Sequence, residues 1–336
     1  MKSTEAKQME LVCPAGTPAA LRAAAEAGAD AIYCGLANET NARNFPGLNF
    51  TPEELADGVA FAHRKGSKVL VAINTFARAG DVDLWREAVD TAAQSGADAV
   101  IAADLAVLDH AASNHPDLRL HLSVQAAANT PEAIRFYADT FGVKRVVLPR
   151  VLSVPEIAAL NKEINVETEV FVFGGLCVMT EGRCSLSSYA TGKSPNLTGV
   201  CSPPEHVDYT EDADGRLLAR LGGFTIDSFE AGQAAGYPTL CKGQFTAEGK
   251  TGYLFEDPVS LNAFELLGEL SKAGVTALKI EGRQRGKAYI AGVVGAFRKA
   301  VDSLSDGGDP GPAIGALKAF SEGGRQTAGS YKKTWR

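Results

Sequence analysis

Cys177, Cys184, Cys201 and Cys241 lie within 65 residues of one another in the pattern C-x6-C-x16-C-x39-C. The other 271 residues hold just two cysteines, Cys13 and Cys34. Thiolates are the usual protein ligands of iron–sulfur clusters and of structural zinc. The quartet sits among Gly, Ser, Pro and Thr, flanked by Gly174, Gly175, Gly182, Gly192, Gly199 and Gly243, rather than in an apolar run. Such a loop can fold irregularly and bring distant sulfurs to one centre. Zinc sites usually carry a tight C-x2–4-C knuckle, whereas the shortest gap here is six residues. The spacing therefore favours an iron–sulfur centre and leaves zinc open. His206, the histidine of this region, reads as an exposed loop residue.

A second set of chemical groups follows short apolar runs. Asn74, Thr75, Asp104, Ser123, Gln125, Arg150, Glu281 and Arg283 each come just after one, and the segment Asn41–Phe45 carries Arg43. If the runs are parallel strands, these groups converge on one cavity. Arg43, Arg150 and Arg283 could then hold a carboxylate bidentately, with Asn74, Gln125 and Glu281 completing a substrate site. Taken singly, each reads equally as a cap or loop residue, and Glu281 with Arg283 as a structural ion pair. Cys13 and Cys34 also end such runs. They read as small buried residues, with a place at the cavity mouth as the alternative.

The elements that must position these groups are legible. Candidate strands fall at Glu10–Cys13, Ala31–Cys34, Lys68–Ile73, Ala99–Ala102, Arg119–Leu122, Arg145–Leu148, Glu169–Phe173 and Thr276–Ile280. Between them Thr17-Pro18, Thr51-Pro52 with Glu54, Thr130-Pro131 and Ser153 with Glu156 are helix starts, and Gly28 and Gly66 are stops. The phrases AEAGADAIY, QSGADAVIA and SKAGVTALKI repeat one helix–Gly–strand junction. Eight βα units predict an α/β fold of the TIM-type (β/α)8 kind; an open doubly wound sheet is the competitor. The expected barrel domain spans 1–305 and includes an insertion at 174–255 between the seventh and eighth strands, which holds the four clustered cysteines. A loop at Asp302–Gly311 leads to a tail, 306–336, packed on the barrel and ending near Trp335.

The 336 residues carry a net charge of −7 and are 45% hydrophobic, enough for a sizeable core. No Lys/Arg run marks a nucleic-acid footprint. No apolar run has signal-peptide character or the length to cross a bilayer, so a cytoplasmic location is expected, where thiols stay reduced. The chain has no G-x-x-x-x-G-K-[ST], no post-strand G-x-G-x-x-G, no H-E-x-x-H and no G-x-S-x-G. Nucleotide binding and the common hydrolase chemistries thus have no support.

The stretch from Glu169 through Gly174-Gly175-Leu176-Cys177 to Glu181-Gly182-Arg183-Cys184 resembles the signature of a bacterial family first labelled collagenase-like peptidases, peptidase family U-32. LVCPAGTPAALRAAAEAGADAIYCGL, TNARNFPGLNFT, AINTFA, LSVQA, RVVLPR, LSSYATGKSPN, GVCSP, GYPTLCKG and KIEGRQR extend the likeness over nearly the whole chain, and specifically to the family's ubiquinone-biosynthesis branch, the UbiU-like proteins. The resemblance implies a 4Fe–4S cluster on Cys177, Cys184, Cys201 and Cys241. It implies a heterodimer with a UbiV-like protein, a UbiT-like lipid-binding accessory, and oxygen-independent hydroxylation of a ubiquinone precursor with prephenate as oxygen donor. Peptidase activity is not expected, and no nucleophile–base pair is readable. The alternatives are the tRNA-hydroxylating branch of the family, disfavoured by the acidic balance, and a noncatalytic electron-relay or scaffold subunit. Two positions depart from the branch pattern: Glu205, where a basic residue is expected, and Gln244, where arginine is.

Overall fold

The computed structural model describes residues 8–233, 235–306, 308, 314–321 and 325–332. Seven parallel strands come first: β1 (Glu10–Pro14), β2 (Ala31–Cys34), β3 (Lys68–Ile73), β4 (Ala99–Ala102), β5 (Arg119–Leu122), β6 (Arg145–Val147) and β7 (Glu167–Gly175). Helices α1 (Pro18–Glu26), α2 (Pro52–Arg64), α3 (Asp83–Gln94), α4 (Leu105–Asn114), α5 (Pro131–Phe141) and α6 (Val154–Glu163) alternate with them. After a long insertion, α9 (Leu267–Lys272), β14 (Ala277–Ile280) and α10 (Lys287–Ser305) complete the eighth unit. β14 pairs in parallel with β1 on one side and with β7 on the other. That double pairing closes the sheet into a (β/α)8 barrel and rules out the open doubly wound alternative.

Local signals act where the sequence places them. Thr17 and Thr130 cap α1 and α5. Thr51 and Glu54 form a reciprocal capping box, and Glu156 accepts hydrogen bonds from both the backbone N–H and the hydroxyl of Ser153. The repeated junction glycines Gly28, Gly96 and Gly274 have φ of 93°, 77° and 87°, a left-handed turn that residues with a Cβ adopt at a cost. Asp302–Ser305, expected as loop, instead extend α10. Most of the remaining loop, and Trp335, lie outside the described residues.

Alternation along the strands sorts side chains to the two faces of the barrel wall. Val12, Ala31, Tyr33, Leu70, Ala99, Ile101 and Ala277 form the inner cluster. Leu11, Cys13, Ile32 and Cys34 belong to the larger core beneath the helices. The two outlying cysteines therefore face the helical layer and not the mouth. Burial pushes the Cys34 thiol up to about 12 and the Cys13 thiol well above its usual value.

The insertion begins as β7 leaves the barrel. It carries α7 (Leu186–Thr191) and α8 (Pro195–Thr198), then an antiparallel sheet of β8 (Val207–Glu211), β9 (Leu217–Leu221) and β10 (Phe224–Phe229), then the hairpin of β11 (Gln244–Ala247) and β12 (Lys250–Tyr253). It returns through β13 (Ser260–Asn262), antiparallel to the end of β7, and β15 (Gln326–Thr327) of the tail adds to β13. Among the described residues no helix is long and apolar enough to cross a membrane.

A buried charge network spans the closing seam. Lys279 Nζ of β14 lies 2.6 Å from Glu169 Oε1 of β7, and Glu169 also meets Arg145 at 3.4 Å. Arg145 reaches Glu167 at 2.7 Å and Glu10 at 2.5 Å. Burial works against the charges of Glu10 and Glu167. Lys68 and Arg145 at Glu10, and Arg145 and Arg119 at Glu167, outweigh it and hold both carboxyls below their usual range. Their stabilisation is in force above the unfolded carboxylate pKa of about 4.3 and fades as pH falls through the depressed values. Replacing Glu169 with Gln strands Lys279 without its counter-charge. We expect a loss of about 3–5 kcal/mol in urea unfolding, partly recovered in Glu169→Leu/Lys279→Met; an unchanged midpoint for Glu169→Gln would show that the seam does not need the pair.

Candidate functional site

At the C-terminal ends of the strands the insertion folds back over the barrel, and named contacts fix it there. Arg150, just beyond β6, donates from Nη1 to Glu181 Oε1 at 2.5 Å, and its backbone N–H reaches Glu181 Oε2 at 3.3 Å. Both side chains are buried, and the guanidinium carbon lies 3.5 Å from the centroid of the Phe171 ring. The tail closes behind them: Ser330 Oγ donates to the Arg150 carbonyl, and Tyr331 OH to the Phe171 carbonyl at 2.6 Å. Glu181 stands between Cys177 and Cys184 in the chain, so this ion pair sets the position of the first two thiols.

On the opposite rim Arg43 Nη1 donates to the Gly199 carbonyl at 2.8 Å, and Phe76 N–H to the Leu197 carbonyl at 3.3 Å. Gly182 lies against the barrel so closely that a Cβ would stand 2.2 Å from the Gln125 carbonyl, and its φ of 79° also requires glycine. The Gln125 side chain is held near Gly199, with its Oε1 buried and unpartnered.

The cysteine loops are stitched to one another. Tyr237 OH donates to the Ser202 carbonyl at 3.1 Å, and Ser202 Oγ to the Pro238 carbonyl at 2.6 Å. These bonds bind the Cys201 loop to the segment that leads into the Leu240–Lys242 turn and Cys241, against which α7 packs. Burial, with Cys201 and Cys184 nearby, pushes the Cys241 thiol up to about 12. Burial, then Glu181 and Cys241, push the Cys177 thiol up, although Arg150 opposes the shift, and the thiol donates to the Met179 carbonyl at 3.1 Å. Cys241 thus lies within electrostatic reach of the other three. Cys177 and Cys184 are half-buried, and Cys201 is exposed. No three of these sulfurs lie within 4.8 Å of one another. His206 is half-buried in a 3-10 turn.

The strand-end residues divide by duty. Glu281 accepts from Gly175 N–H at 3.1 Å and has Arg43 Nε at 3.9 Å. Burial opposes its charge, but Arg43 and Arg150 hold the carboxyl below its usual range. Arg283 is buried and turns to Asn41, donating to Oδ1 at 3.0 Å. Burial, with Arg43 beside it, lowers the Arg283 guanidinium to about 10. Arg150, by contrast, is committed to Glu181. Asn74 accepts from Ala42 N–H at 3.0 Å and so holds the Arg43 loop. Asp104 caps α4, Ser123 caps the turn that bears Gln125, and Thr75 accepts from Trp85 Nε1 at 3.0 Å. These last three act as scaffold.

Glu181 and Tyr33 had no expected role, and Asn41 was expected only as part of the segment that closes over the strand ends. Tyr33 OH donates to the Ile280 carbonyl at 2.9 Å, tying β2 to the end of β14. The two departures from the family pattern have local partners: Glu205 pairs with Lys193, and Gln244 donates to buried Asp227 at 2.9 Å.

The pattern for Peptidase family U32 matches residues 16–327. "tRNA hydroxylation protein P1" of Bacillus subtilis (strain 168) is 29% identical over 297 residues, 88% of this chain and 64% of that protein. "tRNA hydroxylation protein P" of Escherichia coli (strain K12) is 31% identical over 316 residues, 89% of this chain and 69% of that protein. "23S rRNA 5-hydroxycytidine C2501 synthase" of the same organism is 29% identical over 301 residues, 88% of this chain and 40% of that protein. The chain thus spans about two thirds or less of the length of these relatives.

If the Arg150–Glu181 pair sets the first two thiols, Glu181→Ala should expose them. In metal-free protein we expect faster thiol labelling at Cys177 and Cys184 and unchanged labelling at Cys13 and Cys34. A loss of about 3–5 kcal/mol should accompany it, because Arg150 is left buried and unpaired. Equal labelling of Cys177 and Cys184 in both proteins would refute the latch.

Proposed function

Because the chain belongs to peptidase family U32, we propose that it is a component of an oxygen-independent hydroxylase whose Cys177, Cys184, Cys201 and Cys241 hold a 4Fe–4S cluster over a cationic substrate cavity. The observation that carries this reading is the fastening of the cysteine insertion onto the strand ends that bear Arg43, Gln125, Glu281 and Arg283. The names of the relatives support hydroxylation as the reaction class.

The donor set fits a polynuclear centre. A single tetrahedral zinc with bonds of about 2.3 Å would draw its sulfurs to about 3.8 Å from one another. A four-iron cluster would take one thiolate per iron, and the four insertion cysteines supply that number. When bound, the cluster supplies redox-active iron at the mouth. The chain's residues then bind and orient. Arg43 and Arg283 present guanidinium groups to an anion, Glu281 keeps Arg43 in place, and Asn41 aims Arg283. The Arg283 guanidinium, lowered by burial and by Arg43 beside it, would gain from a bound carboxylate.

For the substrate we propose the ring of a ubiquinone precursor, with prephenate as oxygen donor, in a heterodimer with a UbiV-like protein and served by a UbiT-like lipid-binding protein. Its support is the run of branch motifs and the charge pattern. The insertion that frames the mouth has nine acidic and six basic residues, and the whole chain carries −7, a poor surface for a polyanion. The second reading, hydroxylation of RNA, is favoured by the relatives, named for tRNA and rRNA hydroxylation.

Anaerobic cells that lack the gene, complemented with the wild type or Cys177→Ala, separate these readings. The proposal expects the wild type alone to restore ubiquinone. Restored hydroxylated nucleosides with unchanged quinone would establish the RNA reading, and no change in either product would refute both. Arg43→Ala and Arg283→Ala should each weaken prephenate binding roughly tenfold or more, as loss of a hydrogen bond to a charged group implies. Unchanged affinity in both would remove the anion site.

A further inference from the structure

On the outer helical layer, away from the thiols, α3 and α4 bring a second donor set together. His110 Nε2 lies 2.8 Å and His115 Nε2 2.6 Å from the same oxygen, Asp90 Oδ1. One ligand atom from each of the three residues falls within 4.8 Å of the other two, and no other such group occurs among the described residues. Their side chains are 18%, 24% and 37% exposed for His110, His115 and Asp90, which leaves open coordination positions toward solvent. The site is separate from the mouth. α4 starts at Asp104, just beyond β4, and runs back against the strand direction, so His115 at its end lies toward the opposite face of the barrel.

The convergence is not what a regular helix gives. Residues five apart on an α-helix point about 140° away from each other. His115 leaves the helix at φ −132°, ψ 64°, while its N–H still bonds to the Ala111 carbonyl. That single non-helical residue swings its ring back toward His110, with the ring centroids 6.1 Å apart and edge to face.

We propose that Asp90, His110 and His115 form a binding site for one first-row divalent cation of the zinc class, which ties α3 to α4. Two imidazoles and one carboxylate suit zinc, cobalt, nickel or ferrous iron, whereas magnesium and calcium favour oxygen donors throughout. With metal–ligand bonds of about 2.0–2.1 Å, tetrahedral ligand atoms stand about 3.3 Å apart. The His110–Asp90 contact, now 2.8 Å, therefore needs to open by about 0.5 Å and the His115–Asp90 contact, now 2.6 Å, by about 0.7 Å. The other ring nitrogen of His110 lies 3.2 Å from the Asn114 side-chain amide. That amide nitrogen also donates to the His110 carbonyl at 3.0 Å, which fixes the ring's orientation on α4. Without a metal, Asp90 accepts from both rings, which accounts for a carboxyl held below its usual range.

The test is calorimetric titration of Zn(II), and spectroscopic titration of Co(II), into the full chain purified anaerobically and freed of loosely bound metal. We expect one zinc per chain, a raised unfolding midpoint, and cobalt ligand-field bands without a thiolate charge-transfer band. His110→Ala and His115→Ala should each lower zinc affinity about tenfold or more with unchanged circular dichroism, while His206→Ala leaves it as in the wild type. Full zinc affinity in both His110→Ala and His115→Ala, cobalt spectra dominated by thiolate charge transfer, or no zinc binding by the wild type would each overturn the proposal.

Discussion

The structure around the barrel mouth depends on one buried ion pair. Arg150 and Glu181 come from different parts of the fold, the sixth strand end and the cysteine insertion, and meet out of water. Burying either charge alone is costly, so each is tolerable only where the other stands. The Phe171 ring flanks the guanidinium, and Ser330 and Tyr331 brace the adjacent backbone from the tail. An insertion free to drift would scatter its thiols. One latched between Cys177 and Cys184 presents them at a fixed place above the strand ends.

The electrostatics of the mouth follow from that placement. Buried thiols such as Cys241, pushed up to about 12, stay protonated at neutral pH unless a cation replaces the proton. Under the proposed reading, metal binding would displace that proton and add to the insertion's folding energy. Below them, Arg43 and Arg283 face a single nearby carboxylate, Glu281. The proposed function would set a cluster on the thiols above guanidiniums suited to an organic anion, on a barrel whose seam carries the Lys279–Glu169 pair.

The barrel was legible because its determinants are local. Apolar strand runs, threonine and serine caps and the helix–Gly–strand phrases each act over a few residues, and β1 to β5 begin where the sequence places them. Closure was inferred from the number of units, and the pairing of β14 with both β1 and β7 establishes it. What stayed hidden depends on distance along the chain. Glu181 lies 31 residues from Arg150, and Arg283 lies 242 from Asn41. No spacing rule joins such partners. The cysteine set stood out because its residue type is rare and its neighbours are polar. Asp90, His110 and His115 did not, because their convergence depends on one non-helical residue at the end of α4. The small sheets of the insertion were also missed, since its glycines and prolines mask the short alternating runs of β8 to β12.

The central claim is that the four insertion thiols hold one iron–sulfur cluster. Iron and acid-labile sulfide analysis of the protein purified without air, with electron paramagnetic resonance after reduction, tests it most directly. The account predicts about four iron and about four sulfide per chain, and a reduced-cluster signal that disappears when any one of Cys177, Cys184, Cys201 or Cys241 is replaced by Ala. Protein free of iron and sulfide, or with one zinc held by these cysteines, would contradict it.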